Sequence, residues 1–146
     1  MSAASQLNLQ IPSDTTAGLA AQEQIISLME KHDYSMRDIF AMRLCLEEGI
    51  TNAIKHGNKF SDDKKVAINA SVSDERLRVE VQDEGEGFVP EDVPDPTAED
   101  FIERPCGRGL MLMRAYLNHF EYANGGRMLI MERERNSELP ILDDDD

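Results

Sequence analysis

"LEEGITNAIKHGN", Leu46 to Asn58, is the stretch whose reading decides the fold. Ile50, Ala53 and Ile54 recur at the spacing that buries one side of a helix. Gly57 with Asn58 supplies the stop that commonly follows a helix C-terminus. Glu48, Asn52 and His56 repeat at intervals of four, so three hydrogen-bonding side chains share a different side of the same helix. Upstream, Ile39, Met42 and Leu46 extend the apolar stripe, which predicts a helix from about Met36 to His56 lying on a sheet.

The flanking sequence supplies that sheet. "LNLQIPSD" alternates Leu7, Leu9 and Ile11 before a proline, as a short edge strand does. Helical spacing follows an Asp/Thr cap signal through Leu19, Ile25, Ile26, Leu28 and Met29. "KKVAINASVSDERLRVEVQDEG" reads as a hairpin, with Val66, Ile68 and Ala70 alternating before the "SDE" turn and Leu77, Val79 and Val81 after it. From Glu84 to Cys106 the pattern dissolves into a loop rich in prolines and acids, long enough to suggest a functional role. Leu110, Met113 and Leu117 restore a helix, and "FEYANGGRMLIMERE" closes with a hairpin turned at Asn124, Gly125 and Gly126.

At 146 residues the chain has the length of one domain. Its formal charge of −14, from 15 basic against 29 acidic residues, leaves no basic stripe for a nucleic-acid backbone. No run approaches the ~18 apolar residues of a membrane span, and the N-terminus lacks the basic and apolar regions of a signal peptide. Cys45 and Cys106 have neither CxxC nor Cys/His ligand spacing, which fits two free thiols in a reducing, cytosolic compartment. "ELPILDDDD" ends the chain as a solvated acidic tail.

Three features carry chemistry, and each has an ordinary structural explanation beside the functional one. Glu48 and Asn52, one turn apart, form a surface i,i+4 pair or a site where a carboxamide oxygen ligates a divalent ion and a carboxylate orients a nucleophile. In "VQDEGEGF", Asp83 ends an apolar strand, followed by Gly85 and Gly87. This is either an Asp/Gly turn or a carboxylate for an exocyclic amine, with glycines that let the backbone approach a flat ring. "CGRGL" opens a helix with two glycines, which are either loop residues or part of an anion site at a helix start.

In this order and spacing the three features resemble the Bergerat-type ATP-binding domain of the GHKL superfamily. "EEGITNAIKHGN" is similar to its N-box, "DEGEGF" to its G1 box and "GRGL" to its G2 box, over about Leu7 to Glu134. The resemblance implies an α+β two-layer sandwich, with helices on one face of a mixed, mostly antiparallel sheet, that binds ATP and Mg²⁺. Asn52 would ligate the Mg²⁺ bridging the phosphates, and Glu48 would act as general base or orient the attacking hydroxyl. Asp83 would recognise the adenine amino group in a pocket shaped by Gly85 and Gly87. Gly107, Arg108, Gly109 and Leu110 would meet the phosphates, and residues 84–106 would form a lid. His56 has a capping or orienting role, while Lys55 and Lys59 are either outer phosphate contacts or a solvated face.

The expected organisation is a flexible N-terminus over 1–6, the domain over 7–135 and the acidic tail over 136–146. With 35 residues ahead of Met36, the chain is most similar to free-standing bacterial anti-sigma factor serine/threonine kinases. That family implies binding of a sigma factor and phosphorylation of an anti-anti-sigma, STAS-domain antagonist. Members are typically homodimers, for which the N-terminal strand and its neighbouring helix offer an interface. A catalytically weak nucleotide-binding module of the same fold, sequestering a protein partner, is the alternative; the retained Glu48 and Asn52 favour the kinase. An unrelated acidic interaction domain would require three coincidental boxes.

Overall fold

The expected edge strand is β1 (Ser5–Pro12), closed by its proline. Asp14 then caps α1 (Thr15–Lys31) by accepting the Ala17 N–H at 2.8 Å, and Ser35 caps α2 (Met36–Asn52) through the Asp38 N–H at 3.1 Å. Each cap satisfies a donor that a helix start leaves open. β2 (Lys65–Val72) and β3 (Arg76–Gln82) form the first hairpin. α3 (Pro105–Tyr116) leads to β4 (His119–Ala123) and β5 (Met128–Glu134), joined at Asn124–Gly126. The structure is a computed structural model that describes residues 3–87 and 105–141, the side chains of 105–108 excepted.

The strands run in the order β1-β2-β3-β5-β4, and each neighbouring pair is antiparallel. Ile25, Ile26 and Met29 of α1, Met42, Leu46 and Ile50 of α2, and Met113 of α3 share one core with Val66, Ile68, Leu77 and Val79 of the sheet. The chain is therefore an α+β sandwich, its helices gathered on the face toward which the apolar strand positions point. Cys45 and Gly49 take core-facing places on α2, while Ile39 packs at the margin.

The predicted single helix to His56 differs at its end. The α geometry stops at Asn52, and Ala53–Gly57 continue as a π turn, closed by the Asn58 N–H donating to the Ala53 carbonyl at 2.8 Å. A π turn holds an extra residue and so redirects the chain where it leaves the helix. Here it brings Gly57 down onto the end of β3, against Asp83.

A buried ion pair joins the far end of the helical layer. Arg133 of β5 and Asp38 of α2 are both fully buried, with Nε to Oδ1 at 2.9 Å. Arg133 also donates to the carbonyls of Tyr116 at 2.6 Å and Leu139 at 2.9 Å, and Asp38 Oδ2 accepts the Asn136 N–H at 2.8 Å. The first residues of the acidic tail thus lie anchored on the core, while 142–146 fall outside the described residues. No described helix is long and apolar enough to cross a membrane.

Candidate nucleotide site

Between the end of α2, the π turn and the ends of β3 and β5 lies a cavity of about 300 Å³. It exists because backbone meets backbone there without side chains between. A Cβ on Gly57 would collide with the Asp83 carboxylate, and one on Gly85 would collide with the Gly57 carbonyl. Gly87 adopts φ of +76°, a left-handed conformation that favours glycine, and its Cα faces the Gly125 carbonyl. The segment after β3 is thereby pressed between the helix end and the β4–β5 turn.

Asp83 and Glu86 are the carboxylate residues lining the cavity, and Asp83 Oδ1 accepts the Gly85 N–H at 2.8 Å. Burial pushes the pKa of Asp83 up, and the Gly85 hydrogen bond and the charges of Arg127 and Lys64 pull against that. Asn52 and His56 reach the wall from the helix side, and Lys59 from just past the π turn. Val81, Tyr122 and Leu129 add an apolar surface, the kind of wall against which a flat ring packs.

Glu48 lies outside that wall and meets the start of α3. A Cβ placed on Gly109 would sit 3.0 Å from Glu48 Cγ and 3.4 Å from Asn52 Nδ2, so this glycine lets α3 close onto both side chains. Because α3 begins at Pro105, Gly107 falls in its first turn, where amides lack intrahelical acceptors, and Gly109 and Leu110 lie buried in the second. Of the lid expected over 84–106, residues 88–104 lie outside the described residues, as does the Arg108 side chain, and 105–106 belong instead to the start of α3.

The two lysines part company. Lys59 lines the cavity, whereas Lys55 faces a groove between α1 and α2 beside Thr15 and Leu19. Burial pushes the Cys45 thiol up to about 12, which keeps it protonated and unreactive; the Cys106 side chain lies outside the described residues.

Two residues that the sequence did not place in the site organise it, Asn58 having been read as a helix stop alone. Asn58, 1% exposed, donates from Nδ2 to Ser13 Oγ and the Lys65 carbonyl at 3.0 Å each, and its Oδ1 accepts the Glu84 N–H at 2.7 Å. It brackets the ends of β1 and β3 and the start of β2. Arg127 lines the cavity and bonds to the loop that follows Asp83. The only signal for either was a polar residue directly after a glycine, which reads as turn chemistry.

A helical layer over an antiparallel sheet, opening between a helix end and the strand ends instead of at a sheet edge, is the build of a Bergerat-type ATP-binding domain. Family comparison meets the same conclusion: the family described as histidine kinase-like ATPase domain matches residues 11–133, and the chain belongs to it. Among its relatives, the anti-sigma F factor of Clostridium perfringens (strain SM101) is 26% identical over 123 residues, covering 80% of this chain and 87% of the relative. The serine-protein kinase RsbW of Oceanobacillus iheyensis is 22% identical over 146 residues, covering 95% and 92%. The serine-protein kinase RsbW of Listeria monocytogenes (serotype 4a) is 24% identical over 138 residues, covering 90% and 88%.

Proposed function

We propose that this chain is an ATP-dependent serine/threonine-protein kinase that acts as an anti-sigma factor in the cytoplasm. It binds a sigma factor and phosphorylates a serine or threonine on an anti-anti-sigma, STAS-domain antagonist. The observation that carries this reading is the division of labour around the end of α2. The cavity with Asp83 lies toward the sheet, while Glu48 and Asn52 both lie against Gly109 at the start of α3. A base can thus be held on one side while the phosphate chain runs to the other. Similarity along most of the chain to proteins named as anti-sigma factors and serine-protein kinases supports the substrate class.

In this mechanism Asp83 accepts the adenine amino group, and the apolar wall of Val81 and Leu129 excludes water from the ring. Backbone amides at the start of α3 face the phosphates, where a helix N-terminus favours negative charge. Asn52 would hold Mg²⁺, which when bound neutralises charge on the phosphate oxygens. The donor fits: Asn52 brings a carboxamide oxygen, a hard ligand, to the cavity wall, and Mg²⁺ commonly relies on few protein ligands plus phosphates and waters. Glu48 orients the attacking hydroxyl and takes its proton as the oxygen bonds to the γ-phosphorus and ADP leaves, so catalysis rests on positioning and charge. The phosphate gained by the antagonist then repels it from this acidic protein. β1 is one of the two edge strands, and among the described residues no strand pairs with its outer side, which supports a homodimer joined there.

Asp83→Asn is expected to weaken ATP by about 10–100-fold, the worth of a hydrogen bond to a charged group. Calorimetric titration checks it, and an unchanged ATP affinity rejects the adenine assignment. Asn52→Ala is expected to remove the Mg²⁺ dependence of ATP binding while the circular dichroism spectrum stays native. A titration in which added Mg²⁺ still tightens ATP as in the wild type would remove Asn52 from the metal.

A further inference from the structure

On the reading of the cavity as an adenine-nucleotide site, we infer that Arg127 is a positioning residue for nucleotide binding. Its guanidinium clamps the segment Asp83–Gly87 to the β4–β5 turn and so holds the Asp83 carboxylate where a base can meet it.

The segment has few anchors of its own. It lies beyond the last ladder residue of β3, and two of its five residues are glycines, which lose more freedom than other residues when ordered. Asn58 Oδ1 holds its Glu84 N–H at 2.7 Å, and the carbonyls beyond are gripped by a second side chain. Arg127 donates from Nε to the Gly85 carbonyl at 2.7 Å, from Nη2 to the Glu86 carbonyl at 3.0 Å and from Nη1 to the Asn124 carbonyl at 3.2 Å. Its own carbonyl accepts the Asp83 N–H at 2.9 Å. Main chain and side chain of a single residue therefore grip both ends of the loop and tie it to the opposite turn. The planar fork of an arginine meets several acceptors at fixed angles, which a lysine ammonium on a flexible stem does not. The guanidinium also stands on the cavity wall as a cation that acts on Asp83.

Affinities of the full chain for ATP and ADP test this, with Arg127→Met keeping the stem without the fork and Arg127→Lys keeping the charge without the fork. Arg127→Met should weaken ATP and ADP equally, by about 10-fold, because the lost bonds act on the base end. Arg127→Lys should recover little of that affinity. The pH profile separates charge from geometry. The groups acting on Asp83 are the Gly85 N–H, Arg127 and Lys64; without the guanidinium, Asp83 holds its proton to higher pH, so the acid limb of binding moves up in Arg127→Met and returns toward the wild type in Arg127→Lys. Thermal melts identify any variant that fails to fold, in which case the lysine variant carries the test. A loss falling on ATP and sparing ADP would make Arg127 a phosphate contact, and full rescue by lysine would reduce it to a charge; either overturns the proposal. Wild-type protein that binds no nucleotide overturns both this proposal and the function. Binding that Asp83→Asn weakens and Arg127→Met spares overturns the proposal alone.

Discussion

Glu48→Gln is expected to slow phosphate transfer to the antagonist by about 10²–10⁴-fold, the usual worth of a positioned general base. Mg·ATP affinity should stay within about twofold, since Glu48 lies off the cavity wall. The substitution keeps the shape of the side chain, which matters because the Gly109 Cβ position lies 3.0 Å from Glu48 Cγ. An alanine there would open a gap under α3 and confuse lost packing with lost chemistry. The two measurements are a radiolabel transfer assay and a calorimetric titration on the same preparation. A variant that transfers phosphate at the wild-type rate would remove Glu48 as base. A wild-type protein that binds ATP but never transfers it would instead select the nucleotide-binding module that sequesters its partner.

The second large effect concerns stability. Asp38→Ala should destabilise the domain by about 3–5 kcal/mol, because it leaves the Arg133 guanidinium buried without its counter-charge. Three backbone carbonyls, of Tyr116, Ser137 and Leu139, remain as acceptors for Arg133, but they do not neutralise it. The same change also frees the Asn136 N–H that Asp38 Oδ2 now accepts, loosening the anchor of the C-terminal segment. Urea denaturation gives the number, and a paired Asp38→Leu, Arg133→Met variant should recover much of the loss, as apolar replacements of buried pairs do. A single-variant loss under about 1 kcal/mol would put this pair on the scale of a surface salt bridge.

Most elements could be read directly from the chain. The alternations of Val66, Ile68 and Ala70 and of Leu77, Val79 and Val81 became inward faces of β2 and β3, and the Asp/Thr cap signal became the start of α1, whereas the Ser35 cap of α2 emerged only in the structure. Of the expected site residues, Asn52, Asp83 and Gly87 line one cavity, with Gly85 packed beneath it, and Glu48 meets Gly109 beside it. The π turn was not legible, because "NAIKHG" suits an α-helix as well as a π turn. The wider geometry is settled by what Gly57 and Asn58 touch on the sheet. Arg133 left a faint trace as a charge on the inward side of β5, in step with Leu129 and Met131; periodicity alone cannot name the partner that makes such a burial tolerable.

Repeating patterns within one segment therefore determined the helices and the strands, since periodicity and capping act between residues a few positions apart, while the three boxes were legible only as a family resemblance. Tertiary structure alone decided which polar groups meet. Asp38 and Arg133 are 95 residues apart, Gly85 and Arg127 42, and Asn58 and Glu84 26. Those contacts form only when the sheet closes under α2, because a hydrogen bond depends on distance and angle in space and leaves no spacing in the chain to be read.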